Sequence, residues 1–260
     1  MFKIIQYSFF DLMRSRWSYV YFAFYLLLGF SLLFLNNNLT KAIITLMNII
    51  IVLTPLIGTV FGVMYFYSSR EFTELLLAQP LKRNTIFVGQ YLGLSLSLSA
   101  SLMLGLGIPF LSYGLFQSEE ILNFFFLIID GAFLTFTFVG LSFIISLKNE
   151  NRIKGFGYAL LTWLFLAVIY DGLFLILLLL FDEYPIDKFS LIASMLNPID
   201  LSRILILLKL DISALLGYTG ALFQRFFGTG IGVLSAFILL FLWSVTPIAF
   251  IMRIARKKDF

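Results

Sequence analysis

Ser69-Arg70-Glu71-Phe72-Thr73-Glu74-Leu75-Leu76-Leu77-Ala78-Gln79-Pro80-Leu81-Lys82-Arg83 is a charged, amphipathic break between two long apolar runs. Read as a helix, it sets Phe72, Leu75 and Leu76 on one side, leaves Glu71, Glu74 and Lys82 polar, and is stopped by Pro80. A helix this short lies along a membrane surface or docks on a partner, because crossing a bilayer takes about 20 residues. The competing reading is a plain loop between membrane helices. The surrounding chain has to decide.

Of the 260 residues, 61% are hydrophobic and 12% charged. A soluble domain is about a quarter charged, so this chain lacks the charge to cover a water-facing surface. It reads as an integral, all-α membrane protein. Thirty-two Phe and long Leu/Ile runs suit lipid-facing helices better than a β-barrel, which alternates apolar and polar residues. The absence of Cys and His excludes disulfides, thiolate or imidazole metal sites and Cys or His nucleophiles. No catalytic and no metal-ligating residue is expected, and the seven scattered Met read as packing.

Apolar stretches long enough to span occur near Ser18–Leu35, Ala42–Tyr67, Ile86–Phe116, Ile121–Leu147, Phe156–Phe181 and Ile231–Ile251. Residues 1–17, ahead of the first, have the 3.6-residue pattern of an interfacial helix, with Phe2, Ile5, Phe9, Leu12 and Met13 apolar. No small-residue cleavage site follows, so it reads as retained. Ser95, Ser97, Ser99 and Ser101 with Gly93, Gly105 and Gly107 suggest a close-packing face on the third span. Pro55, Pro109 and Pro247 predict kinks or local breaks.

Basic residues set the orientation. Thirteen fall on one side: Lys3, Arg14 and Arg16; Arg70, Lys82 and Arg83; Lys148, Arg152 and Lys154; Arg253, Arg256, Lys257 and Lys258. Five fall on the other: Lys41, Lys188, Arg203, Lys209 and Arg225. Both termini, and the loop at 68–85, are therefore expected in the cytoplasm.

Residues 182–230, on the outer side, are too apolar for a tether. Asn197-Pro198-Ile199-Asp200 reads as a helix start, with Asn197 as cap and Pro198 at the first helical position. An apolar helix over Leu201–Leu210 follows, Asp211 caps another running through Ala214–Gly217, and Leu222, Phe223, Phe226 and Phe227 form an apolar surface before Gly228 and Gly230. Such helices either re-enter the membrane or present a docking surface. No repeat, linker or second soluble domain is visible, so 1–260 reads as one membrane domain.

Two carboxylates lie inside spans, Asp130 in the fourth and Asp171 in the fifth. Nine or ten residues at ~1.5 Å each put both roughly 14–15 Å below the outer surface, where each costs ~2.5–3.5 kcal/mol. They form a polar spot in a translocation path or in a core that transmits movement. Alternatively they are buried acids bonded to Ser, Thr or Tyr of neighbouring helices. A third reading is a proton-coupled secondary transporter or intramembrane enzyme using Asp130 and Asp171. There is no nucleotide-binding motif, so ATP hydrolysis, if used, belongs to another chain.

Six spans, the amphipathic N-terminus and the 69–83 stretch together resemble the type-2 ABC permeases. Glu71, Thr73, Glu74, Leu76, Pro80 and Arg83 match the family there, while Phe72 replaces its usual Gly and Ala78 its usual Ser. The resemblance implies a coupling helix seated in a groove of an ATPase subunit through Arg70, Glu71, Phe72, Thr73, Glu74, Leu75, Leu76, Gln79, Pro80 and Arg83. It implies a homodimer in a bacterial inner membrane, with ATP and Mg bound by the ATPase and no cofactor by this chain. Leu196-Asn197-Pro198-Ile199-Asp200-Leu201-Ser202-Arg203 and Gly217-Tyr218-Thr219-Gly220-Ala221 further resemble the outer segment of NosY-like permeases. These belong to nitrous-oxide-reductase maturation systems. That implies a NosF-like ATPase, a periplasmic NosD-like partner met by Asn197, Pro198, Asp200 and Arg203, and export or periplasmic work in copper–sulfur centre assembly. A permease without Cys and His is poorly equipped to handle copper itself. A generic drug or lipid exporter of the same family is the rival.

Overall fold

A computed structural model describes residues 2–36, 38–180, 187–209 and 217–257. Among them every regular element is helical: α1 (Phe2–Met13), α2 (Arg16–Leu35), α3 (Leu39–Ser68), α4 (Arg70–Leu77), α5 (Arg83–Ser112), α6 (Ile121–Lys148), α7 (Arg152–Leu164), α8 (Tyr170–Leu180), α9 (Asp187–Leu196), α10 (Pro198–Lys209) and α11 (Gly217–Lys257). A short 3₁₀ turn covers Leu115–Gln117, and a π-helical stretch, Phe165–Ile169, joins α7 to α8. Local chemistry places several starts. Ser15 accepts from the Ser18 amide at 3.2 Å, Asn38 from Thr40 at 2.9 Å, and Asn151 from Ile153 and Lys154 at 2.9 and 3.2 Å, each filling an orphan donor of a first turn.

Six segments are long and apolar enough to cross a membrane: Arg16–Leu35, Leu39–Ser68, Arg83–Ser112, Ile121–Lys148, Arg152–Leu177 and Gly232–Arg256. The chain is an all-α, multi-pass membrane protein. Each expected span has its helix, with two refinements. The fifth is interrupted by the π stretch. The sixth, Gly232–Arg256, is the later part of a longer helix, since α11 runs from Gly217 straight through Gly228 and Gly230. Leu222, Phe223, Phe226 and Phe227 belong to its first half, but their side chains, and the expected cap at Asp211, lie outside the described residues.

Pro55, Pro109 and Pro247 sit within helices that continue past them. One turn before Pro247, the Tyr91 hydroxyl is shared between the carbonyls of Ser244 on α11 at 3.0 Å and Phe136 on α6 at 3.1 Å. α1 is docked rather than merely interfacial. A Cβ at Gly93 would lie 2.6 Å from Ser8, and one at Gly89 2.8 Å from Ile4, so these glycines let α1 close onto α5. The small residues of the third span divide their work. Gly93 faces α1 and Gly105 faces Tyr25 of α2, while Gly107 meets nothing.

α3 and α6 form the central seam, where Ser142 donates to the Thr59 carbonyl at 3.1 Å. At one end of the bundle Thr40, in the first turn of α3, donates to Glu120, the residue before α6, at 2.6 Å. At the other end lie α4, the turn at Asn149–Asn151 and the last turns of α11, with Lys148, Lys154 and Arg253 around one hollow. This is the basic end.

Candidate functional site

At the basic end, α4 stands as a separate eight-residue helix set off from α3 by a turn at Ser69. Its inner face is held by the chain itself. Thr73, 7% exposed, donates to the Ser69 carbonyl at 2.8 Å and accepts from Gln90 of α5 at 2.8 Å. Phe72 stacks on Tyr7 of α1 with ring centroids 4.6 Å apart. Leu76 and Leu77 are half-buried on the same side. The outer face carries Glu71, Glu74, Ala78 and Leu75, the last 68% exposed. Arg70 and Glu74 pair at 3.0 Å on the surface.

The expected grouping of Phe72, Leu75 and Leu76 therefore splits. α1 packs against α4 and claims Phe72, so Leu75 projects with the acids instead. Helix α4 also ends earlier than expected, at Leu77. The residue before a proline disfavours helical geometry, so Gln79 is already outside the helix. Gln79, Pro80, Leu81 and Lys82 form an exposed connection to Arg83, the exposed first residue of α5. Behind α4 is a cavity of about 130 Å³ lined in part by Tyr67, Arg70, Thr73, Glu74 and Asn149. Tyr67 closes its far wall by donating to the Asn149 carbonyl at 2.7 Å.

The second polar site lies inside the bundle. α9 and α10 meet at a 108° bend at Asn197, and α10 is inserted against α6, α11 and α3. Leu201, Ile204, Leu205, Ile206 and Leu207 are all buried. Asn197 makes the turn: its Oδ1 accepts from the Ile199 amide at 3.0 Å, and its Nδ2 donates to the Leu166 carbonyl at 2.9 Å and to Asp200 Oδ2 at 3.1 Å. Leu166 belongs to the π stretch, a helical irregularity common at functional sites. Pro198 occupies the first helical position, where its missing N–H costs nothing.

Both intramembrane acids meet this helix at consecutive residues. Ser202 donates to Asp130 Oδ2 at 2.5 Å, and both residues are fully buried. Arg203 reaches Asp171 Oδ2 at 2.9 Å and Asp200 Oδ1 at 3.5 Å. Tyr170 donates to the Ala193 carbonyl at 2.6 Å, tying α8 to α9. Asp130 and Asp171 thus both anchor on α10, through neighbouring residues, without bonding each other. The expected outer-segment residues Asn197 and Asp200 are turned into it, and only Arg203 of the three is partly open, its side chain 34% exposed.

Ser202, Tyr170 and the π-helical carbonyl escaped sequence reasoning. A serine in an apolar helix carries no signal of its own, and the π stretch has none in composition. Gln90 had one: a lone amide in an apolar span needs a partner.

No family model matches the chain. Over 166 residues, 62% of its length, it is 26% identical to a protein of Stutzerimonas stutzeri named a probable ABC transporter permease protein NosY. The match spans 55% of that relative's own length.

Proposed function

We propose that the chain is the membrane-spanning permease subunit of an ABC transporter, and that a separate ATPase chain, with ATP and Mg, docks at the basic end. The observation that carries this reading is α4. Its inner face is fixed by Tyr7 and Gln90, while Glu71, Leu75 and the surface pair Arg70–Glu74 are exposed for a partner. Its polar contacts to the ATPase are assigned to Arg70, Glu71, Glu74, Gln79 and Arg83, with Leu75 as the apolar plug. The bias of basic residues toward this end supports a cytoplasmic orientation in a bacterial inner membrane.

The similarity to a protein named NosY supports the finer reading of a NosDFY-like maturation system, with a NosF-like ATPase and a periplasmic NosD-like partner. In it, α4 movement drives export or periplasmic conformational work for copper–sulfur centre assembly, and the chain performs no hydrolysis itself. A second copy of the chain is part of this reading. Arg152–Leu177 is 6% buried, against 28–61% for the other five spans. It presents Asp171, with the Arg203 head of α10 against it, at membrane depth, where charges facing lipid are costly and a twofold partner would cover them. A generic exporter differs only in its cargo and outer partner. The proton-coupled reading has less support, since Asp171 already holds a guanidinium at 2.9 Å.

The test is co-purification of the tagged full chain in mild detergent, with mass spectrometry of what stays bound. An ATPase with a periplasmic protein supports the maturation system, and an ATPase alone supports the generic exporter. A lone, monodisperse chain overturns the ABC reading.

A further inference from the structure

We propose that the groove between α1, α3 and α4 binds the headgroup of an anionic phospholipid. The groove holds about 640 Å³ and runs from the α1–α2 elbow, with Arg14 and Trp17, along Phe61 and Met64 of α3 to Phe72 of α4 and Arg152 of α7. Its walls change character along their length. The mouth is basic and aromatic, at the level where the chain leaves the membrane. Phe61 and Met64 lie four to seven residues before the end of α3 at Ser68, about 6–10 Å deeper at ~1.5 Å per residue. A lipid has that same order, phosphate at the interface and acyl carbon below it.

The charges fit one anion. Arg14 and Arg152 make no ion pair and no side-chain hydrogen bond among the described residues, and one carboxylate, Asp11, shares the groove with them. Two guanidiniums against one carboxylate leave a net positive site, and guanidinium is suited to phosphate oxygens. Tyr65 also lines the groove, 8% exposed, with its hydroxyl fully buried beside Ser8 of α1. Ser68 and Ser69, also in the groove, are already committed to the Tyr65 carbonyl at 3.2 and 2.8 Å. Trp17, 60% exposed, sits where interfacial indoles belong, and basic pockets between membrane helices are known lipid-headgroup sites. The inference does not depend on an ATPase. It makes the lipid a wedge touching both α1 and α4, because Tyr7 and Phe72 form its shared wall.

The test uses the full chain in mixed micelles containing phosphatidylglycerol or phosphatidylcholine, with native mass spectrometry of the lipid retained. Phosphatidylglycerol should be kept about tenfold better than phosphatidylcholine. Replacing both Arg14→Gln and Arg152→Gln should lower retention roughly 10- to 30-fold, whereas Arg14→Lys with Arg152→Lys retains most of it. Arg253→Gln, at the same end but outside the groove, should change nothing. Equal retention of both lipids, undiminished retention in the double Gln variant, or an equal loss in Arg253→Gln overturns the site. So does displacement by excess glycerol phosphate, which would mark a free-anion site. If the double Gln variant does not purify as a monodisperse protein, the wild-type lipid preference and the Arg253→Gln control decide.

Discussion

Arg203 joins α10 to α8, and a double-mutant cycle with Asp171 measures that joint. Arg203→Met removes a bond of 2.9 Å to Asp171 and one of 3.5 Å to Asp200, leaving two carboxylates without their cation. Breaking a fully buried pair costs ~3–5 kcal/mol, whereas an exposed pair is worth ~0.2–1 kcal/mol. With side chains 34% and 28% exposed, the pair falls between these limits. Arg203→Met should therefore destabilise by ~2–3 kcal/mol, with a coupling energy to Asp171→Asn of ~1–2 kcal/mol. The chain has no Cys for thiol-reactive dyes, but it has three Trp. One of them, Trp243, donates to the Met195 carbonyl at 3.3 Å and so reports the α9–α11 junction. Unfolding followed by Trp fluorescence during detergent titration in mixed micelles gives all four corners of the cycle. A coupling below ~0.3 kcal/mol, the scatter of independent sites, refutes the joint.

Glu74→Lys should abolish stimulation of the ATPase while changing chain stability by less than ~0.5 kcal/mol, because the Arg70 pair it breaks is on the surface. Normal stimulation in that variant removes Glu74 from the interface. Asn197→Ala should cost ~1–2 kcal/mol in the same unfolding assay, through loss of the α10 cap and of the bonds to Leu166 and Asp200. A change near zero would mean that water replaces the side chain. Gly140→Ala should cost ~1–3 kcal/mol by overpacking, since a Cβ there would come 2.3 Å from Pro247. Gly157→Ala, where a Cβ meets nothing within 4 Å, should be neutral or stabilising by up to ~1 kcal/mol. Equal effects at the two glycines would count against the close α6–α11 contact.

The spans were legible because lipid imposes a length and a polarity that show in any stretch of 20 residues. Helix starts were legible where a side chain caps locally, as at Asn197. The start of α11 was not. Gly228 and Gly230, each costing ~1 kcal/mol in a helix, marked the end of an apolar surface in the sequence, but a helix of 41 residues propagates through both. On α4, helical periodicity alone grouped Leu75 with Phe72. Which stripe faces inward depends on Tyr7, more than 60 positions away, and no local pattern encodes that. The same limit hid the polar network. Asp130 and Ser202 are 72 residues apart, so each acid showed only as an expense without its compensation.

That compensation follows from the length of α10. Twelve residues span ~18 Å, well short of the ~30 Å hydrocarbon core, so a helix of this length enclosed among the spans cannot cross the core by itself. In lipid each unpaired backbone group costs several kcal/mol, and a short helix survives there only if protein encloses it. The bundle provides this twice over. Apolar residues from Ile199 to Leu207 are buried, and the N-terminal turn is closed by Asn197, whose amide also reaches into the π stretch of the neighbouring span. Having placed a polar turn at that depth, the chain stabilises it with side chains from both neighbours, Asp130 of α6 through Ser202 and Asp171 of α8 through Arg203. Two of these bonds tie α10 to other helices: loss of Ser202 leaves the buried Asp130 of α6 unpaired, and loss of Arg203 leaves Asp171 of α8 without its cation. A displacement of α10 must therefore break the Arg203–Asp171 pair or carry α8 with it.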